Sequence, residues 1–205
     1  LNSYDTICHE HLEYYSLITL KYLMESCDMK IFKIKFNEIN GGSIRCYVTH
    51  KDNKKYDKKR NLDFIKEKIK YEKKIQINTV QPYKNFYKRI IKLKKQLNKL
   101  LRNIKSKEKK IHIYGASTKG NTILQWHGIN NKLIKYAADR NPIKWGANTI
   151  GSNIKIISEK HSKSLKPDYY LVLPWHFKKE FLKREKSFLN SGGKMIFPLP
   201  KIKIY

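Results

Sequence analysis

Lys110-Ile111-His112-Ile113-Tyr114-Gly115-Ala116-Ser117-Thr118-Lys119-Gly120-Asn121 changes character at its midpoint, from an apolar run to small and polar residues. Residues 110–114 have the length and apolarity of a strand, a glycine-bounded loop follows, and a helix is predicted from there through about Trp126. Working outward, a second strand is predicted over residues 133–138, ending on Asp139. An apolar strand over 169–173, a helix over about 177–188 and a last strand over 194–197 follow. Strands alternating with helices predict an α/β fold, a Rossmann-like parallel sheet with flanking helices over residues 109–205.

Ligands of such sheets bind beyond the carboxyl ends of the strands. The 115–121 loop lies there. Its small residues let backbone N–H groups approach a phosphate, the helix dipole favours negative charge, and Lys119 adds a point charge. The pattern G-A-S-T-K-G is neither G-x-G-x-x-G nor a P-loop, so a turn that packs helix on strand is the alternative reading of the loop alone. Asp139 lies 24 residues after Gly115 (139 − 115), near where dinucleotide folds carry an acid that holds a ribose hydroxyl.

On the N-terminal side, apolar residues at helical spacing predict a helix over residues 15–26. Alternation over 31–39, the turn Asn40-Gly41-Gly42 and a second run over 43–49 predict a hairpin. Residues 51–60 are a solvated charge run that reads as a linker, with two helices after it. The second helix carries the stripe Phe86, Ile90, Leu93, Leu97, Leu100 and Ile104, which packs it on its own protein. The segments expected are thus 1–50, 51–108 and 109–205.

Near the start stands Cys8-His9-Glu10-His11. Histidine exchanges protons near neutral pH, and a neighbouring carboxylate can orient it. In a strand His9 and His11 would share a face with Glu10 opposite, whereas a zinc helix of the H-E-x-x-H type needs a four-residue spacing that is lacking. A surface polar cluster is the alternative. The three cysteines are far apart with no C-x-x-C pair, which reads as reduced thiols and no metal site.

The net charge of +28 points to polyanions, but 39 of the 45 basic residues are Lys and 6 are Arg, and Arg is the side chain that reads phosphate and base edges. Abundant Lys, Ile, Asn and Tyr also fit an A/T-rich coding drift. No ribonucleoprotein, zinc-finger or helix-turn-helix pattern supports nucleic acid as the partner. No apolar run suggests a membrane span, and the start, Leu1 followed by Asn2-Ser3-Tyr4-Asp5, resembles neither a signal peptide nor an initiating methionine. A fragment or processed form of a cytoplasmic protein is expected.

Six blocks in order carry a resemblance: Tyr4-Asp5-Thr6-Ile7-Cys8-His9-Glu10-His11; Gly41-Gly42-Ser43-Ile44-Arg45-Cys46-Tyr47-Val48; Tyr114-Gly115-Ala116-Ser117-Thr118-Lys119-Gly120-Asn121-Thr122; Asp139-Arg140-Asn141-Pro142 with Lys144 and Gly146; residues 167–177, containing Pro174-Trp175-His176; and Gly192-Gly193-Lys194-Met195-Ile196-Phe197-Pro198-Leu199-Pro200. Together they resemble the C-terminal portion of sugar C-methyltransferases dependent on S-adenosylmethionine. The resemblance implies that residues 1–50 end a methyltransferase domain and that residues 109–205 help hold a nucleoside-diphosphate keto-deoxysugar. The methyl donor would be bound mainly by an upstream half, in cis or in trans.

On the family pattern His11 is the base that removes a proton beside the sugar ketone, Glu10 supports it, and Cys8 stands where the family usually has a Tyr thought to contact the sugar. The expected substrate-binding set is Arg45, Ser117, Lys119, Gly120, Asn121, Asp139, Asn141, Trp175 and His176. The competing expectation is an inactive half that binds a nucleotide-sugar and transfers nothing.

Overall fold

The structure, a computed structural model, describes residues 2–38 and 41–205. Leu1, Ile39 and Asn40, and with them the end of the first expected strand and the start of its turn, lie outside the described residues. Packing divides the chain into two units, Leu12–Tyr87 on the one hand and Leu1–His11 with Lys88–Tyr205 on the other. It therefore cuts differently from the pattern of the sequence, because residues 1–11 join the sheet while residues 12–50 join the helix that follows the charge run.

In Leu12–Tyr87, the alternating residues form β1 (Met29–Asn37) and β2 (Ser43–His50), paired antiparallel with an irregularity between Ile31 and Lys33. One face is covered by α1 (Leu17–Glu25) and α2 (Lys59–Lys74), so that Leu17, Ile31, Ile34 and Ile65 make a small core. The predicted helix over 15–26 starts later because Ser16 caps it, accepting from Thr19 N. Two further N–H groups of its first turn, at Leu17 and Ile18, donate to the Glu72 carboxylate at 2.8 and 2.9 Å.

The other unit is built on a six-stranded sheet. Its strands are β3 (Ile111–Tyr114), β4 (Tyr136–Asp139), β5 (Lys155–Ser158), β6 (Tyr169–Val172), β7 (Lys194–Phe197) and β8 (Lys203–Ile204). They lie in the order β5-β4-β3-β6-β7-β8, parallel except for β8. This is the doubly wound order of a Rossmann-like fold, and it reverses between β3 and β6, where such sheets open a crevice for ligand. The helices are α3 (Gln81–Ser106), α4 (Thr118–His127), α5 (Glu159–Ser164), α6 (Lys178–Arg184) and α7 (Lys186–Asn190).

Along α3 the buried stripe is Ile90, Leu93, Leu97, Leu101 and Ile104. Leu101 rather than Leu100 is the side chain fully removed from water, since one 3.6-residue turn counted from Leu97 ends nearer to 101 than to 100. The strand expected from residue 133 begins at Tyr136, because Leu133 and Ile134 fold back in a turn on the Asn130 carbonyl. The helix expected over 177–188 is broken at Glu185, whose buried carboxylate accepts from the Tyr114 hydroxyl at 2.8 Å and pairs with Lys163 at 2.7 Å. The strand β5 and the helix α5 have no counterpart in the sequence reading.

Buried polar groups tie the N-terminal residues to this unit. Tyr4 donates its hydroxyl to His127 Nε2 at 2.5 Å, and His127 Nδ1 lies 3.3 Å from Asn98 Oδ1. A neutral imidazole satisfies both contacts, with Nδ1 as donor and Nε2 as acceptor. Burial, and secondarily the Lys94 charge, lowers His127 from 6.5 to about 4. Its contribution to stability is therefore complete above pH 6.5 and is lost as pH falls towards about 4. Urea unfolding measured from pH 7 to 4.5 should lose about 2 kcal/mol at this site over the window. His127→Gln should flatten the slope by up to one proton; an unchanged slope would assign the acid sensitivity elsewhere.

Candidate functional site

At the strand-order reversal, where such sheets open a crevice, the loop that follows β3 meets the loop that follows β6, and the loop after β4 is joined to the first. After β3 the chain turns at Gly115 with φ +84°, and a Cβ there would lie 2.6 Å from Pro174 Cγ in the loop after β6. Only glycine satisfies both constraints. Ser117 then caps α4, its hydroxyl accepting from Gly120 N at 3.1 Å. Gly120 is buried, and a Cβ on it would come within 2.7 Å of Leu173 Cδ1, so this glycine brings α4 down against the end of β6. Asn121 N donates to Ser117 O at 3.2 Å, and Lys119 sits half-buried on the same first turn. The positive end of the helix dipole and an ammonium thus share one edge of the crevice.

Asp139 joins the first two loops. One carboxylate oxygen accepts from Ala116 N and the other from Asn141 N, both at 2.8 Å. Lys144 reaches the Ala116 carbonyl at 2.8 Å and Asp139 Oδ2 at 3.5 Å. With the Asp139 side chain 11 % exposed, a ribose hydroxyl there would use the lone pairs left over from these bonds. Asn141 accepts from Ile143 N and caps the short turn Pro142–Lys144. Sequence reasoning offered no role for Trp145, whose indole N–H donates to the Asp139 carbonyl at 2.8 Å.

On the other side, after β6, Trp175 donates its indole N–H to Asp5 Oδ2 at 2.9 Å. Asp5 is 1 % exposed, and its Oδ1 has no hydrogen-bond partner among the described residues. Burial pushes this carboxyl up, against the lowering influence of the Trp175 N–H and of the His176 and Lys119 charges. The half-buried His176 is lowered, first by burial, while Asp5 acts in the opposite sense. Asp5 was not singled out from the sequence, because a lone acid in a polar N-terminal stretch carries no periodic signal.

The Cys8-His9-Glu10-His11 block is a turn, not a strand, with His11 N donating to Cys8 O at 3.0 Å. His9 and Glu10 are exposed, Cys8 and His11 half-buried. His11 Nδ1 lies 2.7 Å from the Thr6 carbonyl oxygen. A carbonyl only accepts, so Nδ1 carries the proton and Nε2 of the neutral ring carries the lone pair. Thr6 closes the turn that holds Tyr4 and Asp5, and this block therefore hangs from the sheet unit through the buried Tyr4–His127 and Asp5–Trp175 bonds. Arg45 belongs to the other unit, exposed on β2 opposite Lys35.

No group of three or more metal-binding side chains occurs among the described residues, and no helix among them is long and apolar enough to cross a membrane. Residues 38–200 match the family model of the C-methyltransferase C-terminal domain. The chain is similar to C-methyltransferase NovU of Streptomyces niveus, 30 % identical over 203 residues, which takes in 99 % of this chain and 47 % of NovU. It spans about half the length of that curated relative. The family model covers most of the chain, and the chain belongs to the C-methyltransferase family as its C-terminal domain.

Proposed function

We propose that this chain is the substrate-binding and proton-abstracting half of a C-methyltransferase that acts on a nucleoside-diphosphate keto-deoxysugar. The observation that carries the reading is the 2.7 Å contact between His11 Nδ1 and the Thr6 carbonyl, which orients the imidazole on a turn anchored to the sheet unit. A sugar C–H beside a ketone is lost only to a base held in position while charge builds on the carbonyl oxygen. His11 Nε2 takes that proton, the C–H electron pair becomes the enolate, and the carbon is then nucleophilic. S-adenosylmethionine, bound mainly by residues outside this chain, supplies an electrophilic methyl group. The donor is not assigned to the 115–121 loop, which the sugar nucleotide takes in this reading.

The diphosphate lies at the N-terminus of α4, with Lys119 as its counter-charge and His176 and Trp175 bordering the sugar end. Glu10, beside His11 on the same turn, supports it. Replacement of the usual family Tyr by Cys8 favours one second reading, a half that binds the nucleotide-sugar without turning it over.

Two measurements test this. Calorimetric titration with deoxythymidine diphosphate should give weaker binding for Lys119→Ala by about 1 to 3 kcal/mol, as for a lost charge-assisted hydrogen bond. An unchanged dissociation constant removes Lys119 from the site. In the chain joined to a donor-binding half, deuterium exchange at the carbon beside the ketone should proceed without S-adenosylmethionine. His11→Ala should abolish it with nucleotide-sugar affinity kept within a few fold. Exchange that survives the substitution makes His11 structural, and exchange that appears only in Cys8→Tyr supports the binding-only reading.

A further inference from the structure

Ile143, Lys144 and Trp145 expose the wrong ends of their side chains. An ammonium is ordinarily left in water and an indole buried. Here the Lys144 ammonium is held to the Ala116 carbonyl at 2.8 Å, while Trp145 is 46 % and Ile143 89 % exposed. The indole does not swing freely, because its N–H is fixed to the Asp139 carbonyl at 2.8 Å. An aromatic ring oriented by a hydrogen bond, with its surface left in water, is a platform that lacks its partner.

The partner follows from where the loops stand. The turn bearing His11 is bonded to the β6 side of the crevice, through Asp5 to Trp175, and the indole N–H of Trp175 is consumed in that bond. Trp145 follows β4, on the opposite side of β3. A nucleoside diphosphate whose phosphates sit at the start of α4, and whose sugar points to the His11 side, must send its nucleoside the other way, past Asp139. We infer that the exposed surface of Trp145, flanked by Ile143, seats the nucleobase by stacking. The inference rests on the nucleotide-sugar reading above. A π-surface serves any base, so the platform supplies affinity for a nucleoside over bare phosphate rather than choice among bases.

The full chain is titrated with deoxythymidine diphosphate and, separately, with inorganic pyrophosphate. Binding is followed by calorimetry and by tryptophan emission, with Trp145→Phe used to assign the signal among Trp126, Trp145 and Trp175. The expected result is quenching of Trp145 by the nucleotide alone. Trp145→Ala should weaken the nucleotide by about tenfold with pyrophosphate unchanged, and Trp145→Phe should stay within about threefold, since the ring is kept and only the N–H is lost. Equal nucleotide affinity in Trp145→Ala overturns the inference, as does a wild-type chain that holds pyrophosphate as tightly as the nucleotide. Parallel loss of both ligands in Trp145→Ala and Trp145→Phe also overturns it, since Trp145 would then shape the loop rather than touch the base. Failure of the wild-type chain to bind either ligand sinks the nucleotide reading itself and this inference with it.

Discussion

The carboxylate of Asp139 holds the carboxyl edge of the sheet in one piece. A parallel sheet ends in loops whose backbone donors have no strand to pair with, and left alone they would be solvated and mobile. By taking Ala116 N on one oxygen and Asn141 N on the other, Asp139 fixes the loop that opens α4 and the loop that carries Lys144 and Trp145. Its own carbonyl then orients the Trp145 indole, and Lys144 closes the set back onto the Ala116 carbonyl. The acid that dinucleotide folds use for a ribose thus acts here first as an internal fastener. Any ligand role it has is added to that one.

A second group of buried polar contacts fixes the N-terminal turn, and its chemistry is that of neutral or barely charged groups. Tyr4, His127 and Asn98 can be satisfied with no net charge at all. Asp5 is the costly member, with one oxygen on Trp175 and the other lacking a protein partner. A buried group in that condition is expensive unless the surroundings over-determine it. The nearby Lys119 ammonium offsets part of the cost, which couples the anchor of the His11 turn to the cation on the first turn of α4.

The sheet and its glycine-bounded loop were legible in the sequence because both write themselves locally. Four-residue apolar strands such as 111–114 and 169–172, and small residues at 115–120, need no distant partner to be recognised. The misplaced elements have distant causes. Leu133 and Ile134 look like strand but fold back on the Asn130 carbonyl, with Ile134 buried, and Glu185 breaks a helix to reach Tyr114, 71 residues away in sequence. Site residues followed the same division. Gly120 and Ser117 were visible as loop chemistry, although the structure uses them to pack and cap a helix. Asp5, His127 and Trp145 act through partners that only the folded chain brings near, so nothing in their local sequence marked them.

The charge composition acquires a meaning once the acids are located. With 45 basic and 17 acidic residues, a lysine says little about its position, since most lysines have solvent as their main neighbour. The acids are scarce enough to be informative. Glu72 closes the start of α1, Asp139 fastens two loops, Asp168 accepts Lys110 N beside β3, Glu185 meets Tyr114 beneath the sheet, and Asp5 pins Trp175. Four of these five satisfy backbone N–H groups or a buried hydroxyl, a service no cation can render because an ammonium has no acceptor. A coding drift towards lysine can therefore recolour the solvated faces freely but must leave these carboxylates in place. In so basic a chain the net charge describes the solvent side, and these five acids mark where the fold needs an acceptor.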